Sequence, residues 1–267
     1  FIPCLIILIG RFDLPESPRW LLRKGRVKEC EQMMIKLFGE PVCFDDELPQ
    51  ETRFLQLFNR RHFPFVLFVA AIWTCQVIPM VAIYTFGPQI VGLLGWEQGR
   101  NAALGNVVIS LFFMLGCIPA MFWLNSIGRR PLLIGSFAMM TIALALLGLV
   151  SNLGIILVVV AFAVYAFFSG GPGILQWLYP NELFPTDIRA SAVGVIMSLS
   201  RIGTIVSTWA LPIFITRYGI NNVMLIGALI SLVGLGVSVM FAPETRGLTL
   251  TQTGNMTLRG TPSDNPR

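Results

Sequence analysis

Arg201 stands alone in Ser198-Leu199-Ser200-Arg201-Ile202-Gly203, about twelve positions into the apolar run Ala190–Ile215, with no ionisable neighbour before Arg217. Holding an arginine at the centre of a membrane helix costs roughly 2.5–3.5 kcal/mol even on lenient insertion scales. A residue kept there at that cost has work to do. A guanidinium pairs bidentately with a carboxylate, so one role is recognition of an organic anion. A structural salt bridge to protein outside this chain and snorkelling toward the interface are the other two. A second chemical feature is a phrase used twice: Pro15-Glu16-Ser17-Pro18-Arg19 follows the apolar Phe1–Gly10, and Pro243-Glu244-Thr245-Arg246-Gly247 follows Val223–Ala242. The repeat suggests a duplicated membrane protein of which the end of one block and all of a second are present. Nothing else suggests enzyme chemistry. No metal-ligand cluster or activated nucleophile is visible, and Gly170–Gly173 lacks the strand-to-helix setting and the lysine of a phosphate loop. No cofactor or metal is expected, and no catalytic residue is assigned.

The elements that would position these residues follow from composition. Of 267 residues, 55% are hydrophobic and 12% charged, and the mean hydropathy is +0.73, more apolar surface than one soluble core can hide. A membrane helix needs roughly 20 apolar residues. His62–Leu94, Ala102–Leu124, Leu132–Val150, Leu153–Tyr179 and Ala190–Ile215 qualify, and Asn222–Ala242 is a sixth. Phe1–Gly10 is half the needed length and lacks the n-region and cleavage site of a signal peptide, so it reads as the tail of a truncated span.

The net charge of +5 is spread by loop and not clustered, which points to topology and away from nucleic acid. Ten Lys and Arg lie in Arg11–Arg61, with Arg129, Arg130, Arg189 and three in the tail on the same side; Arg100 and Arg217 lie opposite. That assigns the first set to the cytoplasm. The five cysteines fall in spans or in the Arg11–Arg61 loop and imply no disulfide framework. The expected organisation is therefore 1–10, the end of a span; 11–61, a cytoplasmic loop; 62–242, a six-helix bundle; and 243–267, a polar cytoplasmic tail. In the loop, Ser17-Pro18 reads as a helix start. The apolar positions Val27, Met33, Met34 and Leu37, followed by Gly39, predict a short surface helix.

Two spans carry helix breakers. His62–Leu94 contains Pro79, Gly87 and Pro88, and Leu153–Tyr179 contains Gly170-Gly171-Pro172-Gly173. They are the first and fourth of six, matching positions in a three-plus-three arrangement, where interrupted helices mark a transporter's central site. Close helix packing is the other use of such residues.

The chain resembles the major facilitator superfamily, in particular its sugar porter branch and the relatives that carry organic ions and other metabolites. The matching pieces are Pro15-Glu16-Ser17-Pro18-Arg19, Gly128-Arg129-Arg130, Gly171-Pro172-Gly173 with Trp177, Glu182-Leu183-Phe184-Pro185 with Arg189, and Pro243-Glu244-Thr245-Arg246-Gly247. The resemblance implies an all-α membrane protein, the C-terminal six-helix half of a twelve-helix fold. It implies a bacterial inner-membrane transporter working by alternating access with proton symport, the proton carried by an acid in the other half. The partners are the lipid bilayer, a small-molecule solute and the N-terminal six helices.

On the charge-derived topology, Glu16, Arg19, Arg129, Arg130, Glu182, Arg189, Glu244 and Arg246 gather at cytoplasmic helix ends, where pairing on closure and separation on opening would make a gate. Exposed pairs contribute about 0–1 kcal/mol each, so several are needed. The resemblance also assigns a solute site. Against the sugar pattern, Gln76 is the surviving amide, the two asparagine positions are Val81 and Phe113, and Ser169 precedes the Gly-Pro run. Trp177 matches a cavity-lining tryptophan, and Tyr84, Tyr165 and Trp209 are further aromatic candidates. A hexose site needs many matched donors and acceptors. With these lost and Arg201 gained, the expected binding set is Gln76, Tyr84, Ser169, Trp177 and Arg201, and the expected cargo a small organic anion. A sugar is the alternative, and a non-transporting sensor or inactive fragment the alternative of another class.

Overall fold

The computed structural model describes Leu5, Leu21 and residues 26–38, 57–59, 62–93, 100–149 and 155–245. Within these the chain is helical, in the order α1 Val27–Phe38, α2 Phe63–Leu93, α3 Arg100–Ser126, α4 Arg129–Leu149, α5 Ile155–Leu183 and α6 Thr186–Phe241, with no strand among the described residues. The all-α reading holds.

The chain divides into two compact units at residues 52 and 53. In the first, α1 has a charged exposed face, with an Arg26–Glu29 ion pair just before and inside its first turn, and an apolar face where Leu21, Cys30 and Met34 are buried together. Of the positions that predict this amphipathic helix, Met34 is buried and Met33 packs against it, Val27 is exposed, and the Leu37 side chain lies outside those described.

The second unit is the bundle. Phe63–Tyr84, Arg129–Leu149, Leu157–Leu183 and Ile188–Phe241 are each long and apolar enough to cross a membrane, and Ser110–Ser126 is a shorter apolar helix among the described residues. The last of these has 54 residues, about 80 Å at 1.5 Å per residue, against a bilayer core of about 30 Å. It is two rods joined at Gly219, whose φ of 76° and ψ of 166° break the helix. Counting both arms of α6, 186–218 and 220–241, the bundle has the six rods expected from hydropathy. α2 packs chiefly on α6, α3 on α5, and α4 on both α5 and α6. Phe137, Met140, Leu144, Phe162 and Tyr165 are among the core residues that these contacts bury.

The interrupted spans are not interrupted. α2 runs through Pro79, and α5 runs through Gly170–Gly173 and Pro172. The glycines serve the other use weighed for them. A Cβ at Gly116 would sit 1.9 Å from the Phe167 carbonyl oxygen, and one at Gly170 would lie 2.8 Å from backbone atoms of Gly116 and Cys117. α3 and α5 therefore cross backbone to backbone, as small residues in membrane helices permit.

Candidate functional site

Two constellations stand out in the bundle, one at the end where α3 meets α4 and one at mid-height.

The first begins with a turn. Gly128, at φ 107°, swings the chain from α3 into α4. The first turn of a helix presents N–H groups without intrahelical partners. Here Pro131 removes one, and no Ser, Thr, Asp or Asn precedes Arg129 to cap the others. The cap comes from a distant part of the chain. Glu244 accepts from the backbone N–H of Arg129 on Oε1 at 3.0 Å and from that of Arg130 on Oε2 at 3.1 Å. Its negative charge also suits the positive end of the α4 dipole. The Arg129 side chain turns the other way: its Nη2 donates to Glu182 Oε1 at 2.7 Å, and Nη1 to the Leu124 carbonyl at 3.4 Å. Glu182 Oε2 accepts from the Thr245 hydroxyl at 2.5 Å, Arg130 Nη2 donates to the Val239 carbonyl at 2.9 Å, and the Tyr179 hydroxyl to the Pro243 carbonyl at 3.2 Å.

Of the expected gate residues, the structure brings together Arg129, Arg130, Glu182 and Glu244. Arg189 lies on the adjoining turn, its Nε donating to the Phe184 carbonyl at 3.2 Å. Glu16, Arg19 and Arg246 lie outside the described residues. Two roles escaped sequence reasoning. Thr245 lies in the repeated Pro-Glu phrase but had no partner assigned, and the bonds of Glu244 to the α4 backbone were not foreseen. The missing cap before Arg129 is the signal that would have pointed to it.

The second constellation lies where α2 meets α5 and α6. Gln76 Nε2 donates to Ser169 Oγ at 3.3 Å, across 93 residues of chain, and both side chains are buried. Gln76 Oε1 is buried with no hydrogen-bond partner among the described residues. The Tyr84 ring meets Phe113 edge-on at 6.1 Å between centroids. Trp177, half exposed, stands edge-on to the buried Trp73 at 5.0 Å. α6 packs on α2 at the same height, since a Cβ at Gly203 would meet Thr74 at 2.7 Å and Ile78 at 3.2 Å, the residues on either side of Gln76. Arg201, two positions before Gly203, is exposed and makes no ion pair or side-chain hydrogen bond with any described residue.

Arg201 belongs to one of two adjacent, largely exposed stripes on the first arm of α6. Ser198, Arg201, Thr204 and Thr208, at intervals of three and four, form a polar stripe. The hydroxyls of Ser198, Thr204 and Thr208 donate to their own helix, at 2.8, 3.1 and 2.8 Å. Leu199, Ile202, Val206, Trp209 and Ile213 form the apolar stripe beside it, each at least 40% exposed.

The sequence model of the family described as "Sugar (and other) transporter" matches residues 1–256. The chain belongs to this family. It is 84% identical over 259 residues to YaaU of Escherichia coli (strain K12), covering 97% of this chain and 58% of that protein. It is 32% identical over 257 residues to the inner membrane metabolite transport protein YgcS of the same organism, covering 96% and 57%. Among solved structures, the proton:xylose symporter XylE bound to 6-bromo-6-deoxy-D-glucose superposes with a TM-score of 0.76 at 20% identity, over 94% of this chain and 56% of XylE. That likeness is one of fold. The chain spans a little over half the length of these relatives. The family is one of integral membrane transporters and not of enzymes.

Proposed function

We propose that this chain is one half of a transporter that carries a small organic anion across the membrane by alternating access, with Arg201 holding the anionic group. The observation that carries this reading is the position of Arg201: mid-span, exposed, without a protein partner among the described residues, and on the polar stripe of α6. An arginine facing lipid would incur the full insertion cost, whereas one facing a watery cavity does not. The neighbouring Leu199–Ile213 stripe suits lipid or an apolar helix, and the Ser198–Thr208 stripe suits water and solute. Gln76, Ser169, Tyr84 and Trp177 are assigned to the same site, from the α2 and α5 side. The unpaired Gln76 Oε1 supports the presence of a further polar partner there in another conformation.

The cluster of Arg129, Arg130, Glu182 and Glu244 is assigned to the cytoplasmic gate, with Arg189, Glu16, Arg19 and Arg246 beside it. The setting is the inner membrane of a bacterium, which the names and source of the relatives support. The portion of the relatives outside the match supplies the other wall of the cavity. Proton coupling is assigned to a carboxylate in that portion, because Glu182 and Glu244, the acids of the bundle whose side chains are described, both sit at one end of it.

Uptake by the complete protein in proteoliposomes tests the reading. Carboxylate uptake should fall at least tenfold in Arg201→Ala and recover in part in Arg201→Lys. The family description favours a sugar as the second reading; xylose or glucose uptake insensitive to Arg201→Ala would replace the anion with a sugar. Uptake of neither class would leave the sensor or inactive fragment.

A further inference from the structure

Beginning beside the proposed solute site, at Ile78 and Gly203, and extending away from it, a cavity of about 320 Å³ opens among α2, α4 and both arms of α6. Its walls include Ile78, Pro79, Leu144, Val206, Phe214 and Gly227, and the one polar side chain among the lining residues, Ser207, donates to the Thr204 carbonyl of its own helix at 2.9 Å. An engineered apolar cavity of about 150 Å³ stays dry and takes benzene, so a space of twice that size with such walls does not suit water. Val206, Phe214 and Ile226, which line it, are also exposed on the outside of the bundle, so the cavity is continuous with the apolar surface of a chain that spans a bilayer.

A charge sits in register with it. Val206, Ala210 and Phe214 line the cavity at intervals of four along α6, and Arg217 is the next residue on that face, one turn beyond Phe214 at the end of the arm. Arg217 is exposed and makes no ion pair or side-chain hydrogen bond with any described residue. Tyr218 beside it stacks on Phe214 at 5.5 Å. We propose that this is a phospholipid site: one acyl chain enters the cavity between the two arms of α6, and the phosphate meets the guanidinium of Arg217. From Gly203 to Phe214 the lining covers about 16 Å along the helix, room for an extended chain segment.

The glycine at 227 provides the test. A Cβ there would meet Leu144 at 3.5 Å and Pro79 at 4.0 Å, ordinary contact distances, so Gly227→Leu fills the cavity from its own wall. The complete protein is reconstituted with a phospholipid carrying a mid-chain photoreactive group, and adducts are mapped by peptide mass spectrometry. Labelling of 206–214 and 223–230 should exceed that of the exposed α3 residues Met114, Met121 and Phe122 several-fold. It should fall at least fivefold in Gly227→Leu, and in Ala210→Leu should Gly227→Leu fail to accumulate. Arg217→Gln should lower it several-fold for a phospholipid but not for a photoreactive neutral diacylglycerol. Labelling equal to that of α3 would mean ordinary bulk lipid, and absence of labelling would mean that the rest of the protein seals the opening; either overturns the proposal. Labelling insensitive to Arg217→Gln would overturn the phosphate contact.

Discussion

Arg129 and Glu182 pair at 2.7 Å between the first turn of α4 and the last turn of α5, and their side chains are only 14% and 15% exposed. A pair so shielded is worth more than the exposed pairs assumed for a gate, since hydrogen bonds to charged groups contribute about 1.5–3 kcal/mol. Glu182→Gln in the complete protein should therefore shift the balance between its two access states by about 10- to 100-fold. Alkylation of a cysteine placed on the Ser198–Thr208 stripe, followed from each side of the membrane, reports the shift. Identical alkylation rates in the variant and the parent protein would remove Glu182 from the gate.

Glu244 acts through the backbone of α4, and its variants should show it. Glu244→Ala leaves the N–H groups of Arg129 and Arg130 without the cap and should lower stability by about 1–2 kcal/mol. Glu244→Gln keeps an acceptor and should lose less, which a pure ion-pair role would not produce. Thermal unfolding of the purified complete protein measures both.

Gly128 is constrained twice over. Its φ of 107° is strained for any side chain, and a Cβ would lie 2.7 Å from Glu244 Oε2. Gly128→Ala should destabilise by more than Glu244→Ala does, and combining the two should recover part of the loss because the clash is gone. Strict additivity in unfolding measurements would show that the two positions do not interact.

At the α3–α5 crossing, Gly116→Ala should cost at least about 2–3 kcal/mol, because the new methyl would overlap the Phe167 carbonyl. Gly135→Ala, where a Cβ would meet nothing within 4 Å, should stay within about 0.5 kcal/mol of the parent. Yields of folded protein in detergent and midpoints of thermal unfolding should separate the two.

Gly219 joins the two arms of α6 in a backbone region, φ 76° and ψ 166°, that is essentially closed to side chains. No neighbour lies within 4 Å of a Cβ there, so Gly219→Ala isolates backbone strain and should cost about 1–3 kcal/mol. Gly219→Asn should be no milder, since asparagine's tolerance is for the left-handed helical region and not for this one. A fully stable Gly219→Asn protein would contradict the single-residue connection.

Hydropathy was enough to read six rods and the all-α class, because length and apolar content are local properties of the chain. The same local view went astray at Gly170–Gly173, where four helix-weakening residues suggest a break. The structure uses Gly170 for the close crossing with α3 and Gly171 for a close approach to Ser136 of α4, and what decides between the two uses is the helix on the other side. The site divides in the same way. Gln76 and Ser169 were each named from the family pattern, yet their bond to one another joins residues 93 apart and no periodicity announces it. Arg201 was legible because a charge in an apolar run violates a local rule. The cap that Glu244 provides was not, although the absence of any local cap before Arg129 was in plain view.

The separation between Glu244 and Arg129 also has a meaning for synthesis. The two lie 115 residues apart, and at translation rates of roughly 5–20 residues per second, α4 emerges about 6 to 23 s before the residue that closes its first turn. Until then the turn has only water or passing groups to answer it. The bundle is thus fastened from the residues after its last helix back to its third, and a ribosome that stalls after Phe241 but before Glu244 leaves a protein whose helices are all written but not yet locked.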